Sequence, residues 1–270
     1  MVELREVGAT GVRVPEIGLG TWRYKGGVAP LRRGLELGAW LIDTAESYRT
    51  EGVVGQAIHG LRERVFLATK VSGEHLRYDQ VLRAADASLK QLGVDTIDLY
   101  QVHWPNPDVP IAETMRAMEA LVDGGKVRFI GVSNFSRKEF EEAQACLRDA
   151  QIVANQVEFS LRHREIEPDI ADFYQPNHVT VIAYSPLAQG DLLVDHHRSD
   201  LNVLRSVALE AGRTPAQVAL NWCLARPGVI AIPKTDRATR VDELCGASGW
   251  SLTPEQVARL DAAFPDGEGG

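Results

Sequence analysis

Short apolar runs recur along this chain, separated by longer amphipathic stretches. The runs are IGLG (17–20), WLID (40–43), VFLATK (65–70), IDLYQVH (97–103), VRFIGVS (127–133), IVANQ (152–156), VTVIAYS (179–185) and GVIAIPK (228–234). Each is short, partly β-branched and bounded by Gly, Pro or polar residues. Near-continuous apolar character over so few residues is the mark of strands covered on both faces, as in a parallel sheet. Between the runs, residues 78–93 and 112–126 repeat apolar positions at three- and four-residue steps and stop at Gly93 and Gly124. A third helix is predicted over 214–228, with Thr214 as N-cap and Pro215 at the first helical position. Strand and helix alternating eight times predict a (β/α)8 barrel in one domain spanning residues 1–270. An opening hairpin over 2–16 turns at 8–11, and extra helices are expected at 199–211 and 253–264. The connections at the barrel mouth are short.

Composition narrows the class. The 270 residues are 44% apolar, enough for a large core, and carry a formal charge of -8. That sign argues against a nucleic-acid partner, which needs a clustered basic surface. No apolar run reaches the ~18 residues of a membrane span. The opening MVELREVGAT carries charges and lacks the apolar core of a secretory leader. Three widely spaced cysteines, Cys146, Cys223 and Cys245, fit reduced thiols. A cytoplasmic protein is expected. No exposed apolar stripe stands out, which favours a monomer. The adjacent His196 and His197 have no further ligands at suitable spacing and read as solvated, so no metal is expected.

In a (β/α)8 barrel the chemistry collects where strands run into the following loops. Here those positions are Asp43, Lys70, His103, Ser133 with Asn134, Gln156, Tyr184 with Ser185, and Lys234. One polar strand end is usually a cap or a solvated turn; seven successive strands ending so are not explained by capping. Tyr48, just beyond Asp43, adds a phenol with a reference pKa of about 10. An ammonium beside it favours the phenolate, and Asp43 is a natural anchor for Lys70. His103 supplies a hydrogen-bonding neighbour. The group reads as a proton donor for an oxygen that gains negative charge.

These residues lie in segments that resemble the aldo-keto reductase superfamily from GLGTW (18–22) to LTPEQVARLDAAF (252–264), through DTAESY, IDLYQVHWP, GKVRFIGVSNF, NQVEFS, VIAYSPLAQG and IPKTDRATRVDE. The resemblance implies NAD(P)H-dependent reduction of a small-molecule aldehyde or ketone. It assigns Asp43, Tyr48, Lys70 and His103 to a catalytic tetrad with Tyr48 as general acid. It places Gly20, Thr21, Trp22, Asp43, Ser133, Asn134, Gln156 and Tyr184 around the nicotinamide. Ser185, Leu187, Gln189 and Gly190 fall in the segment meeting the pyrophosphate. Lys234, Thr235 and Arg240 fall at the adenosine 2′-phosphate, with Asp236 close to it and Glu243 retained just before the adenine position. Trp22, Tyr24, Tyr48, His103 and Trp104 are the implied substrate contacts. The implied cofactor is NADP(H), with NAD(H) possible. No G-x-G-x-x-G stretch is present, so a Rossmann dehydrogenase is excluded. The chain departs from the family at Leu244, where an Asn often meets adenine, and at Asp236, a carboxylate beside the expected phosphate. Two other readings are a nucleotide-binding regulatory protein with little turnover, and a barrel lyase or isomerase. The intact tetrad opposes the first, and the second leaves Ser133, Asn134 and Gln156 without a role.

Overall fold

The computed structural model describes residues 2–194 and 198–265, so His196 and His197 lie outside the described residues. β1 (Leu4–Glu6) and β2 (Arg13–Pro15) pair antiparallel as the expected hairpin. Eight strands then follow in a parallel sheet ordered by sequence: β3 (Leu19–Gly20), β4 (Leu41–Asp43), β5 (Phe66–Val71), β6 (Ile97–Val102), β7 (Val127–Ser133), β8 (Ile152–Glu158), β9 (Thr180–Tyr184) and β10 (Val229–Ala231). The sheet closes on itself. Ala231 N–H donates to the Glu16 carbonyl at 2.9 Å, Gly18 N–H to Ala231 at 2.8 Å and Gly20 N–H to Pro233 at 3.0 Å. A Cβ on Gly20 would stand 2.7 Å from the Ile232 carbonyl, so this seam requires glycine. The eighth run is shorter than expected because Pro233 has no N–H to extend the ladder.

The helices are α1 (Val28–Leu37), α2 (Glu51–Ile58), α3 (Tyr78–Leu92), α4 (Ile111–Asp123), α5 (Arg137–Gln144), α6 (Glu167–Asp169, continued by a π-turn over 170–174), α7 (Ser199–Ala211), α8 (Pro215–Leu224), α9 (Ala238–Cys245) and α10 (Pro254–Ala263). The cap signals act as read. Gly93 ends α3 in the left-handed region at φ 67°, and Thr214 accepts from Gln217 N–H while Gln217 reaches back to Thr214. Thr253 and Gln256 repeat that box on α10. The expected extra helices are α7 and α10. No helix among the described residues is long and apolar enough to cross a membrane.

Alternation along the strands divides the core in two. Leu41, Phe66, Ala68, Leu99, Ala154, Ile182, Ile230 and Ile232 pack inside the barrel, and Val7 and Val14 of the hairpin close its floor. The outward set, with Leu67, Tyr100 and Val102, packs against helix residues including Met115, Met118, Leu220 and Trp222. Cys223 and Cys245 are buried there, and burial pushes their thiols up to about 12 and about 11. Inside the barrel, Gly131 of β7 leaves room for Gln101: a Cβ there would come within 2.9 Å of Gln101 Cγ and 3.1 Å of Leu99 Cδ1. Gly131→Val should therefore destabilise the fold by about 1–3 kcal/mol through overpacking. Urea unfolding of the variant measures this; unchanged stability would mean that Gln101 can move aside freely.

Candidate active site

From β4 to β9 the inward face of each strand ends on a polar side chain, and these ends line one mouth of the barrel. On β5 the inward series runs Phe66, Ala68, Lys70; on β4 it runs Leu41, Asp43; on β6 it runs Leu99, Gln101 and on to His103 just beyond the strand. The Lys70 side chain has no exposed surface. Its Nζ lies 2.5 Å from Asp43 Oδ1, 2.9 Å from the Thr44 carbonyl and 3.5 Å from the Tyr48 hydroxyl. An ammonium has three protons, and those are three acceptors. The other Asp43 oxygen accepts from Gln156 at 2.8 Å and Gln101 at 3.3 Å. Gln101 had no place among the expected residues; its inward parity with Leu99 and His103 was the signal. A threonine chain braces the layer from outside: Thr21 donates to the Asp43 carbonyl at 2.9 Å and meets Thr50, which meets Thr44 at 2.8 Å.

Tyr48 is carried on a 3₁₀ turn (Glu46–Tyr48) immediately after β4. Its hydroxyl lies 3.3 Å from His103 Nε2, and the Lys70 ammonium stands 4.9 Å from its ring centre. The Asp43–Lys70 contact is the one expected, but its effect on the resting phenol is reversed. Burial, and then the Asp43 carboxylate, push the Tyr48 hydroxyl well above its ordinary value, so it keeps its proton at neutral pH. Burial also depresses the Lys70 ammonium, against the opposing pull of Asp43. Burial, then the Lys70 charge, bring His103 from 6.5 down to about 4, so its imidazole is neutral. The arrangement offers a protonated phenol, a neutral imidazole beside it and a buried cation behind it.

This layer floors a cleft of about 1040 Å³ across the barrel mouth. Trp22, Ser47, Tyr48, His103 and Trp104 line it near the phenol, with Trp22 41% and Trp104 51% exposed. Ser133, Asn134, Gln156 and Tyr184 line its middle. Asn134 donates to the His103 carbonyl at 3.1 Å and accepts from the Tyr184 hydroxyl at 2.9 Å, which fixes the Tyr184 ring. Ser185, Leu187, Gln189 and Gly190 form a further wall, with Ser185, Gln189 and Gly190 at φ 47°, 54° and 100°. Gly20, Thr21, Asp43, Lys234, Thr235, Asp236, Arg240 and Glu243 also line the cleft, and Leu244 beside them is apolar. Lys70 lies beneath this surface. Tyr24 is not brought to the cleft: it is 7% exposed and its hydroxyl donates to the Gly27 carbonyl at 2.7 Å, so it holds the loop after β3 instead. Lining residues that sequence reasoning missed include Arg23, Ser47, Glu158 and Arg237. Glu158 shares its parity with Gln156, which would have found it; Ser47 sits in the 3₁₀ turn before Tyr48, and Arg23 and Arg237 in loops with no periodicity to read.

Comparison with known proteins shows the family of the chain. The model of the Aldo/keto reductase family matches residues 16–264. Methylglyoxal reductase YeaE of Escherichia coli is 38% identical over 268 residues, covering 96% of this chain and 94% of its own. Glyoxal reductase of Bacillus subtilis is 36% identical over 264 residues, covering 95% and 91%. An aldo/keto reductase from Klebsiella pneumoniae, solved in complex with NADP and acetate, superposes with a TM-score of 0.89 at 39% identity, covering 98% of this chain and 96% of its own. With a matching family model over most of its length, a closed barrel and this cleft at its mouth, the chain belongs to the aldo/keto reductase family.

Proposed function

We propose that this chain reduces small aldehydes and ketones with a nicotinamide dinucleotide, with Tyr48 as general acid. The observation that carries the reading is the Tyr48 hydroxyl at the cleft floor, 3.3 Å from His103 and 3.5 Å from Lys70. The donor set fits the nucleotide. Ser133, Asn134 and Gln156 offer amide-matching donors and acceptors for the carboxamide, and the Tyr184 ring offers a flat face. Left-handed backbone at Ser185, Gln189 and Gly190 turns the chain into the tight curves from which N–H groups cradle phosphate oxygens. Thr235 and Arg240 supply the anion site at the far end, where Lys234 also lines the cleft. The volume lies at the upper end of the ~300–1,000 Å³ of small-molecule pockets, as a dinucleotide plus a substrate requires. A reduced nicotinamide dinucleotide, when bound, supplies the hydride. Two relatives are named for glyoxal and methylglyoxal, small dicarbonyls, and we carry that substrate class to this cleft, whose loop from His103 to α4 is short.

The chain's own part is proton management. Trp22 and Trp104 flank the carbonyl, and neutral His103 positions its oxygen. Tyr48 gives its proton to that oxygen as negative charge grows. The phenolate that forms then faces the Lys70 ammonium. Lys70 need not lower the resting phenol's pKa; it stabilises the charge that exists only as the reaction proceeds.

Tyr48→Phe should lower kcat by about 10²–10⁴-fold, the usual worth of general acid catalysis, with nucleotide affinity nearly unchanged. Steady-state kinetics with fluorescence titration checks both; near-normal turnover would remove Tyr48 from the role. The depressed His103 fixes a pH dependence. Its imidazole stays neutral from alkaline pH down to about 4, so kcat should show no break near 6.5. The unfolded chain takes up that proton near 6.5 and the folded chain only near 4, so His103 should contribute a loss of stability as pH falls through this window. A kcat inflection at 6.5 that disappears in His103→Gln would contradict this. Arg240→Ala should weaken NADPH about tenfold or more and leave NADH nearly unchanged, since only the former carries the 2′-phosphate. Equal effects in a titration with both nucleotides would move the phosphate elsewhere.

A further inference from the structure

Asp236 stands at the cationic end of the cleft with both carboxylate oxygens held. Oδ1 accepts from the Lys25 backbone N–H at 2.7 Å and Oδ2 from Lys234 Nζ at 2.6 Å. The loop that supplies Lys25 is itself pinned. Tyr24 donates to the Gly27 carbonyl, and Gly26 lies so close that a Cβ there would be 2.9 Å from Asp236 Cα. Rotating the carboxylate away from Lys234 would break its bond to the Lys25 N–H. Burial raises its pKa, but the bonds from Lys234 and Lys25 outweigh burial and leave it below the ordinary carboxylate value. It is an anion at neutral pH.

Two consequences follow for an adenosine ribose at this end. A 2′-phosphate approaching Lys234 finds an ammonium already neutralised and a fixed negative charge beside it. A ribose 2′-hydroxyl is a donor, and a carboxylate is its natural acceptor, the pairing by which acidic residues favour NAD in other folds. Arg237 and Arg240 make no ion pair among the described residues, so a phosphate keeps two cations to meet.

We propose that Asp236 sets the choice of cofactor in this chain, holding Lys234 away from a 2′-phosphate and offering a 2′-hydroxyl an acceptor, so that NADH is used alongside NADPH. The proposal rests on reading the cleft as a nicotinamide dinucleotide site.

The test is fluorescence titration of the wild type and Asp236→Asn with NADPH and with NADH. Asparagine keeps the shape and an acceptor for Lys25 N–H but drops the charge. NADPH should then bind about tenfold or more tighter and NADH about threefold weaker. If both affinities move by one common factor, or the ratio between them moves less than about threefold, Asp236 only holds the loop and the proposal fails. A double-mutant cycle adds an independent readout. Lys234→Met should weaken NADPH less than about threefold while Asp236 is present, and about tenfold in the Asp236→Asn background. Equal losses in the two backgrounds would overturn the proposal. A wild type that binds neither nucleotide overturns the cleft reading together with this one, whereas binding with an unmoved ratio overturns this one alone.

Discussion

An ammonium with no exposed surface lies at the centre of this barrel, and its desolvation governs what surrounds it. Removing one partner from such a pair costs about 3–5 kcal/mol, so every proton of Lys70 must find an acceptor. Asp43, the Thr44 carbonyl and the Tyr48 oxygen meet that demand. Asp43 then needs donors of its own, which brings in Gln101 and Gln156 from two further strands. Gln101 in turn needs space that only a glycine at 131 leaves. One buried charge thus specifies side chains on β4, β5, β6, β7 and β8.

The same burial explains why the phenol and the lysine are not a simple acid–base pair. A dry floor raises Tyr48, so the phenol keeps its proton in the resting protein, and it lowers Lys70, whose charge Asp43 supports against burial. The cation's influence is felt by a phenolate, not by a phenol. A site of this kind holds its proton until an electron-rich oxygen arrives to take it.

Much of this was legible in the chain. Eight apolar runs gave the barrel, and the hairpin, α7, α8 and α10 followed from turn and cap residues. The polar strand ends gave the site because inward parity and strand length are both local properties. Gln101 and Glu158 obey that parity, Gln101 one inward step before the end of its run and Glu158 one inward step beyond the end of its own. Tyr24 was misplaced because adjacency to Trp22 does not tell on which side of a loop a ring falls; a hydroxyl directed at Gly27 is a tertiary fact. The upward shift of Tyr48 was missed for a related reason. Charge neighbours can be inferred from spacing, but the weight of desolvation against them depends on burial, which no single strand reveals. The engagement of Lys234 by Asp236 was half visible as two charges two residues apart; the Lys25 amide that locks it comes from 211 positions away.

The placement of two thiols bears on how the protein would meet reactive carbonyls. Glyoxal-like compounds are electrophiles, and thiolates are the groups that capture them most readily. Cys223 and Cys245 sit behind the barrel wall with thiols held at about 12 and about 11. Neither offers a nucleophile at neutral pH, and Cys223 has no exposed surface. A reductase of such compounds, as proposed above, would keep two of its three thiols out of their reaction.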